Sequence, residues 1–360
     1  MTYLKKIENI QNFLKRENID FLILEDKISL FYLTKMDIEG KLIIGKNKTR
    51  LFVDKRYVEQ AEKKNIFEVF LLEDDLISDF FLVHSDSGAI AFNSKNCSYF
   101  SYKNLNIFIE KLKKQASKEI DFKLIDIYDP LKEERAIKSQ DEIYSMKKAA
   151  SIAWRGFEHI CSLLKEGISE KSLALEFELF CLQNGGEGLA FNPIIAFGEN
   201  SSICHHTPDQ TLLKKDDIVL IDVGVKADNY CSDMTRVLFF GTPNPILEKF
   251  YEIIRKVHRN ILDLCKPGVT IKKLDETARE LIEKEKVEGE ILHALGHGVG
   301  LEVHEYPIIK YDGQDKDVIL RPNMVITIEP AIYKKGIGGV RYEDTILITK
   351  EGFENFYTIH

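Results

Sequence analysis

DIVLIDVGV at 217–225 is an apolar run with a single internal acid, Asp222. Its neighbours predict a strand buried on both faces. An ionised carboxylate buried without a partner costs several kcal/mol. Asp222 therefore needs a cation, hydrogen-bond donors or a metal. The next run, NYCSDMTRVLFF at 229–240, reads as a second strand, and Lys226-Ala227-Asp228-Asn229 is turn material. Folding the chain back between Ala227 and Asp228 sets Asp222 opposite Asp233, on one face of an antiparallel pair. Like charges opposed in that way are destabilising, and a shared cation removes the repulsion.

The same design recurs downstream. MVITIEPAIY at 324–333 places Glu329 at the end of a strand, and RYEDTILIT at 341–349 places Glu343 at the start of another. KKGIGG at 334–339 is a turn, and folding about Gly336 sets Glu329 opposite Glu343. Asp222 or Glu329 alone reads more readily as a cap, a turn residue or an ion-pair partner than as a ligand. Two matched acidic hairpins together read as one site. HALGHGVGLEVHEYP at 293–307 adds His293, His297 and His304, with glycines at 296, 298 and 300 that allow close backbone approach. His205 and His206 lie upstream, His206 reading equally as a solvated neighbour of His205. Cys204 and Cys231, near the expected site, read as buried inert thiols. Four carboxylates and a histidine form a hard, oxygen-rich set, suited to Mn(II), Co(II), Zn(II) or Fe(II), with manganese first. Their four negative charges match two divalent ions per chain, which at about 3.5–4 Å separation can clamp a tetrahedral intermediate.

The rest of the chain frames this site. At 360 residues, two domains are expected. Hydrophobic residues at 44% and charged residues at 30% suit a soluble globular protein. A net charge of -8 without a basic run argues against nucleic-acid binding. No apolar stretch approaches the ~18 residues of a membrane span. The N-terminus is charged throughout and lacks a secretory h-region, and the six cysteines are scattered without a CxxC pair, so a cytoplasmic protein with free thiols is expected. Residues 1–17 read as a helix with Leu4, Ile7, Ile10 and Leu14 on one face. Strands at 21–25, 41–54, 67–72, 89–92 and 122–127 alternate with helices at 74–84 and from the fourth strand to about Lys118. That alternation predicts an α/β domain over 1–130. Helices at 139–166, 169–185, 244–265 and 271–286, with strands after Phe191, predict an α+β domain over 131–360, and no internal repeat is visible.

The strings IDVGV, CSDMTR, GHGVGLEVHEYP, TIEPA and RYED resemble the pita-bread metallopeptidase family, which includes methionine aminopeptidase, aminopeptidase P and prolidase. The resemblance covers about 135–355, and LFVDKRYVEQA at 51–61 resembles the N-terminal domain of the aminopeptidase P, prolidase and creatinase branch. It implies a pita-bread catalytic domain behind a smaller α/β domain. It also implies that Asp222, Asp233, His297, Glu329 and Glu343 bind two metals, Asp233 and Glu343 contacting both. Glu329 is implied as the acid–base partner of a bridging hydroxide, His205 and His304 as donors to the scissile peptide and the oxyanion. Arg341 is implied as an orienting residue, and His293 as part of the wall of the proline pocket. Prolidases of this branch often carry arginine where Ala294 stands, so the expected activity is an aminopeptidase P that cleaves Xaa-Pro bonds at peptide N-termini. The alternatives are an Xaa-Pro dipeptidase and, from a different class, a non-catalytic peptide-binding module. The expected partners are peptides with proline second and, by the same resemblance, a second copy of the chain in a homodimer. Cys204 departs from the family, which often has proline before the histidine.

Overall fold

Apolar runs of four to six residues, separated by polar turns, build the first sheet. A computed structural model describes residues 3–116 and 120–357, and the chain divides into two compact units, 1–132 and 133–360. In the first unit six strands lie in the order Glu68–Leu71, Thr49–Val53, Gly40–Gly45, Phe21–Leu24, Ala89–Asn93, Lys123–Ile127. The hairpin at 40–53 is antiparallel, closed by Gly45 N–H donating to the Lys48 carbonyl at 2.7 Å, and the outer pairs are parallel. Phe80 and Phe81 of helix Asp74–His84 meet Phe21 of the sheet, tilted and edge-on. Helix Tyr3–Arg16 buries Ile7, Ile10 and Leu14, but Leu4 is 65% exposed. At about 100° per residue Leu4 lies to one side of the stripe the other three share, so the expected four-residue face is three. Helix Tyr99–Gln115 stops short of Lys118, and residues 117–118 of the expected extension lie outside the described residues.

The second unit is α+β. Its element order runs twice through a helix pair followed by strands: helices Gln140–Ser162 and Glu170–Gln183, then helices Pro245–Leu264 and Ile271–Lys284. Each start is marked in sequence. Ser139 and Glu142 form a capping box, Ser169 and Thr270 accept backbone N–H groups, and Asn244 caps a helix with Pro245 in its first turn. Strands Ile194–Phe197, Asp217–Val223 and Met234–Phe240 form an antiparallel sheet between the two helix pairs. Alternation divides its side chains. Ile195, Phe197, Val219 and Ile221 join a core with Phe177 and Ala153, whereas Ile194, Ala196, Ile218 and Leu220 join a core with Ile254 and Leu274. Both faces are covered, which is why the run around Asp222 is apolar throughout. No helix among the described residues is long and apolar enough to cross a membrane.

Candidate metal centre

Asp228 (φ 50°) and Asn229 (φ 67°) form the two-residue type I′ loop of the first acidic hairpin, with Ala227 paired to Tyr230. That loop corrects the expected register. Asp222 stands opposite Thr235, not Asp233, a slip of two residues. Because strand side chains alternate, a slip of two keeps Asp233 on the same face as a diagonal neighbour, and both acids line one cavity. In the second hairpin the ladders Val325–Ile328 with Asp344–Ile348 and Ala331–Lys334 with Gly338–Arg341 share one register, which carries Glu329 across from Glu343. A single β-bridge, Thr235 to Glu343, joins the two hairpins. Thr235 Oγ1, fully buried, donates to Glu343 Oε2 at 2.7 Å.

His297 arrives on a strand flanked by Gly296 and Gly298. A Cβ at either would come within 2.1 Å of the Thr327 carbonyl or 2.3 Å of the Tyr306 carbonyl, so only glycine allows this approach. His297 Nδ1 donates to the Gly298 carbonyl at 3.0 Å, which leaves the Nε2 lone pair free. Nε2 lies 3.6 Å from Asp233 Oδ2 and 3.5 Å from Glu329 Oε1. Burial, then the neighbouring His304, push its pKa down to about 3, so the ring is neutral as a ligand must be.

The donors fit divalent cations. Asp233, His297 and Glu343 offer ligand atoms all within 4.8 Å of one another. Asp222 Oδ1 is buried without a hydrogen-bond partner. Burial raises the carboxyls of Asp222, Asp233, Glu329 and Glu343, Glu343 to about 8, and mutual repulsion adds to it at the last three. Arg341 is the guanidinium among them, so negative charge stays in excess. The hard, oxygen-rich set with one free imidazole nitrogen suits two divalent ions.

Arg341 is buried and ties Asp222 to the wall. It bonds Asp222 Oδ2, donates to Thr235 Oγ1 at 3.0 Å and to Tyr333 Oη at 2.5 Å. Tyr333 Oη in turn lies 3.0 Å from His293 Nε2, and His293 Nδ1 lies 2.7 Å from the Ala294 carbonyl, so both His293 ring nitrogens are engaged by protein. Burial, then Arg341, push the His293 pKa down to about 4.

His205 and His304 line the cavity, of about 450 Å³, together with the apolar Phe191, Ile194, Val303 and Ile308. The His304 ring meets His297 edge-on at 4.3 Å, and burial, then His205, lower its pKa. Next to it Glu305 is clamped by Arg135 at 2.5 Å and Lys138 at 3.4 Å and accepts the Glu302 N–H at 3.1 Å. Two expectations change. His206 is not a solvated neighbour: it is buried, 2.7 Å from Glu170 Oε2, because a carboxylate on the helix behind it supplies a partner. Cys204 is half-buried and lines the cavity, whereas Cys231 is fully buried with its thiol pushed up to about 12. Sequence reasoning missed Thr235, Tyr333, Glu170 and the Glu305 clamp. Thr235 alone carried a signal, two residues from Asp233 and so on its face.

Residues 144–350 match metallopeptidase family M24, and residues 6–137 match the creatinase/prolidase N-terminal domain. The chain is 34% identical to the Xaa-Pro dipeptidase of Pyrococcus horikoshii over 97% of its own length and 95% of the relative's. It superposes on the Xaa-Pro dipeptidase from Bacillus anthracis with a TM-score of 0.91 and 30% identity, covering 100% of this chain and 98% of that one. The X-Pro aminopeptidase from Thermotoga maritima gives 0.83 and 29%, over 95% and 96%. By domain match, by identity along nearly its whole length and by the pita-bread architecture, the chain belongs to metallopeptidase family M24 and carries a creatinase/prolidase N-terminal domain.

Proposed function

We propose that the chain is a dinuclear-metal peptidase that hydrolyses the Xaa-Pro bond of Xaa-Pro dipeptides. The observation that carries the substrate class is the likeness, along almost the entire chain, to proteins named Xaa-Pro dipeptidases. This sides with the alternative drawn from sequence over the aminopeptidase expected from Ala294. Asp222, Asp233, His297, Glu329 and Glu343 would hold two ions, manganese first for so oxygen-rich a set. Bound there, the metals supply Lewis acidity for the carbonyl and acidify water to a nucleophile at neutral pH.

The chain's own residues do the rest. Glu329, 3.5 Å from His297 Nε2 on the cavity wall, would take the nucleophile's proton and pass it to the proline nitrogen, which as a tertiary amide has none. His304 donates to the oxyanion and His205 to the scissile peptide from the cavity wall. His293, with its ring nitrogens engaged, offers the proline ring a face instead of a donor. Arg341 orients Asp222. A homodimer belongs to the proposal on the family resemblance alone.

One observation favours the aminopeptidase reading. Among the described residues lining the cavity there is no lysine, and the arginine, Arg341, is engaged by Asp222, Thr235 and Tyr333. A buried proline carboxylate needs a cationic partner, whereas a continuing chain does not. Hydrolysis of Ala-Pro and Ala-Pro-Ala with Mn(II) separates the readings. The dipeptidase expects Ala-Pro cleaved and the tripeptide left intact. Higher kcat/KM on the tripeptide would install the aminopeptidase instead. Inertness toward both, with metals bound, would leave the peptide-binding module.

A further inference from the structure

Away from the acid cluster, Glu170, His206 and Asp209 also bring metal-type ligand atoms within 4.8 Å of one another. Both Glu170 oxygens there are taken by protein donors. Glu170 is 0% exposed. Its Oε1 accepts from the Phe197 N–H at 2.8 Å and Asn200 Nδ2 at 2.9 Å. Its Oε2 accepts from the Asp209 N–H at 3.2 Å and lies 2.7 Å from His206 Nε2, which carries the proton because a carboxylate can only accept.

These four ties fall at 197, 200, 206 and 209, on both sides of the turn that presents His205. The turn is closed by the His206 N–H donating to the Ile203 carbonyl at 3.1 Å. The helix behind adds Glu170 N–H to the Thr211 carbonyl at 3.1 Å and Lys171 N–H to the Asp209 carbonyl at 2.9 Å. His205 itself is exposed toward the cavity at the tip, so its reach is set by the backbone on either side. His206 is the anchor nearest to it.

We infer that Glu170, acting through His206, is a positioning residue that holds His205 at the scissile bond. The inference rests on the role proposed above for His205. A misplacement of about 1 Å at a reacting group can lower a rate roughly 10²-fold, so a buried carboxylate with four donors around one loop controls the rate without touching substrate. Glutamine, the isostere of Glu170, cannot do its work. All four partners are donors, and a glutamine would turn its own N–H groups against two of them.

The test is a double-mutant cycle on the metal-loaded enzyme. His206→Phe keeps a ring and removes the donor. It is expected to lower kcat by up to about 10²-fold, the cost of a roughly 1 Å misplacement, with KM and bound metal unchanged. His206→Gln, whose amide nitrogen can donate to Glu170, is expected to restore most of the rate. In a His205→Ala background the same His206→Phe change should cost less than about 2-fold more, because there is nothing left to position. An equal loss in both backgrounds overturns the inference and leaves Glu170 as loop scaffolding. If His205→Ala alone leaves the rate untouched, the role of His205 falls and the inference with it. Should His206→Phe fail to fold, Glu170→Gln runs the same cycle, with the same two outcomes.

Discussion

Thr235 shows how one side chain conditions several others. Its hydroxyl donates to Glu343 Oε2 and accepts from Arg341 Nε, and its backbone pairs with both Asp222 and Glu343. Asp222 and Glu343 are thereby held in place, and an ion bound between them would need little reorganisation. Asp233 differs from its neighbours. Its backbone carbonyl accepts from Thr345 Oγ1 at 2.8 Å and Tyr357 Oη at 2.9 Å, which anchors the main chain independently of the carboxylate. Asp233→Asn should therefore keep the fold, lose a metal by elemental analysis and lose most of the turnover. Unchanged metal content and rate would remove Asp233 from the ligand set. His304 touches His297 by its ring only. Its replacement by alanine should leave both metals in place and lower kcat by roughly 10²–10³, the range for one oxyanion donor. Loss of metal in that variant would make it a ligand.

Among the elements, the strand Phe21–Leu24 is locked to the turn before Ala89–Asn93 by a single carboxylate. Asp20 accepts from Ser85 Oγ at 2.6 Å, from the N–H groups of Asp86, Ser87 and Gly88 at 2.9, 2.7 and 2.8 Å, and from Lys46 Nζ at 2.8 Å. Burial alone would raise its pKa, but Lys46, Ser85 and the loop N–H groups outweigh it and hold the carboxyl well below the usual range. The sign follows from linkage. A depressed native pKa stabilises the fold above the unfolded value near 3.9, and that stability is lost as pH falls toward the native value. Asp20→Asn should cost roughly 3 kcal/mol at neutral pH, on the scale of breaking a buried charged network. The gap between variant and parent in denaturant melts should start to narrow as pH falls below about 4 and go on narrowing to about pH 2. A constant gap across that range would show that the charge is not what matters.

At the scale of the molecule, the catalytic unit repeats one order, a helix pair followed by strands, and the acid cluster lies where the two halves exchange strand contacts. Asp222 and Asp233 come from the first half, His297, Glu329 and Glu343 from the second. Ions held by these five residues would bridge two packed cores. Chelation should abolish activity and also lower Tm by several degrees, since buried carboxylates lose their counter-charge and a ligand that binds the native state is withdrawn. Mn(II) or Co(II) should restore both. Full activity in a protein shown to be metal-free would end the metallopeptidase mechanism.

Local chemistry wrote much of this into the chain. The Glu329–Glu343 register was readable because Gly336, at φ 75°, sits in an unmistakable turn and the two ladders around it keep one frame. The Asp222–Asp233 register was missed by placing the turn one residue too early: Asp228 and Asn229 are residue types that tolerate positive φ, but with no glycine in KADN to mark the centre the Ala227-Asp228 fold competed with it. The resulting slip of two still left both acids on one face, because side-chain direction has period two. Glycines flanking His297 and the unbroken apolar run at 217–225 were equally visible. What waited on the three-dimensional packing was every partnership across long separations: Thr235 with Glu343, Arg341 with Asp222, Glu305 with Arg135, His206 with Glu170. A polar residue's type advertises that it needs a partner when buried. Which partner it finds depends on how two sheets and two helix pairs settle against one another, and that is decided by packing far from the residue itself.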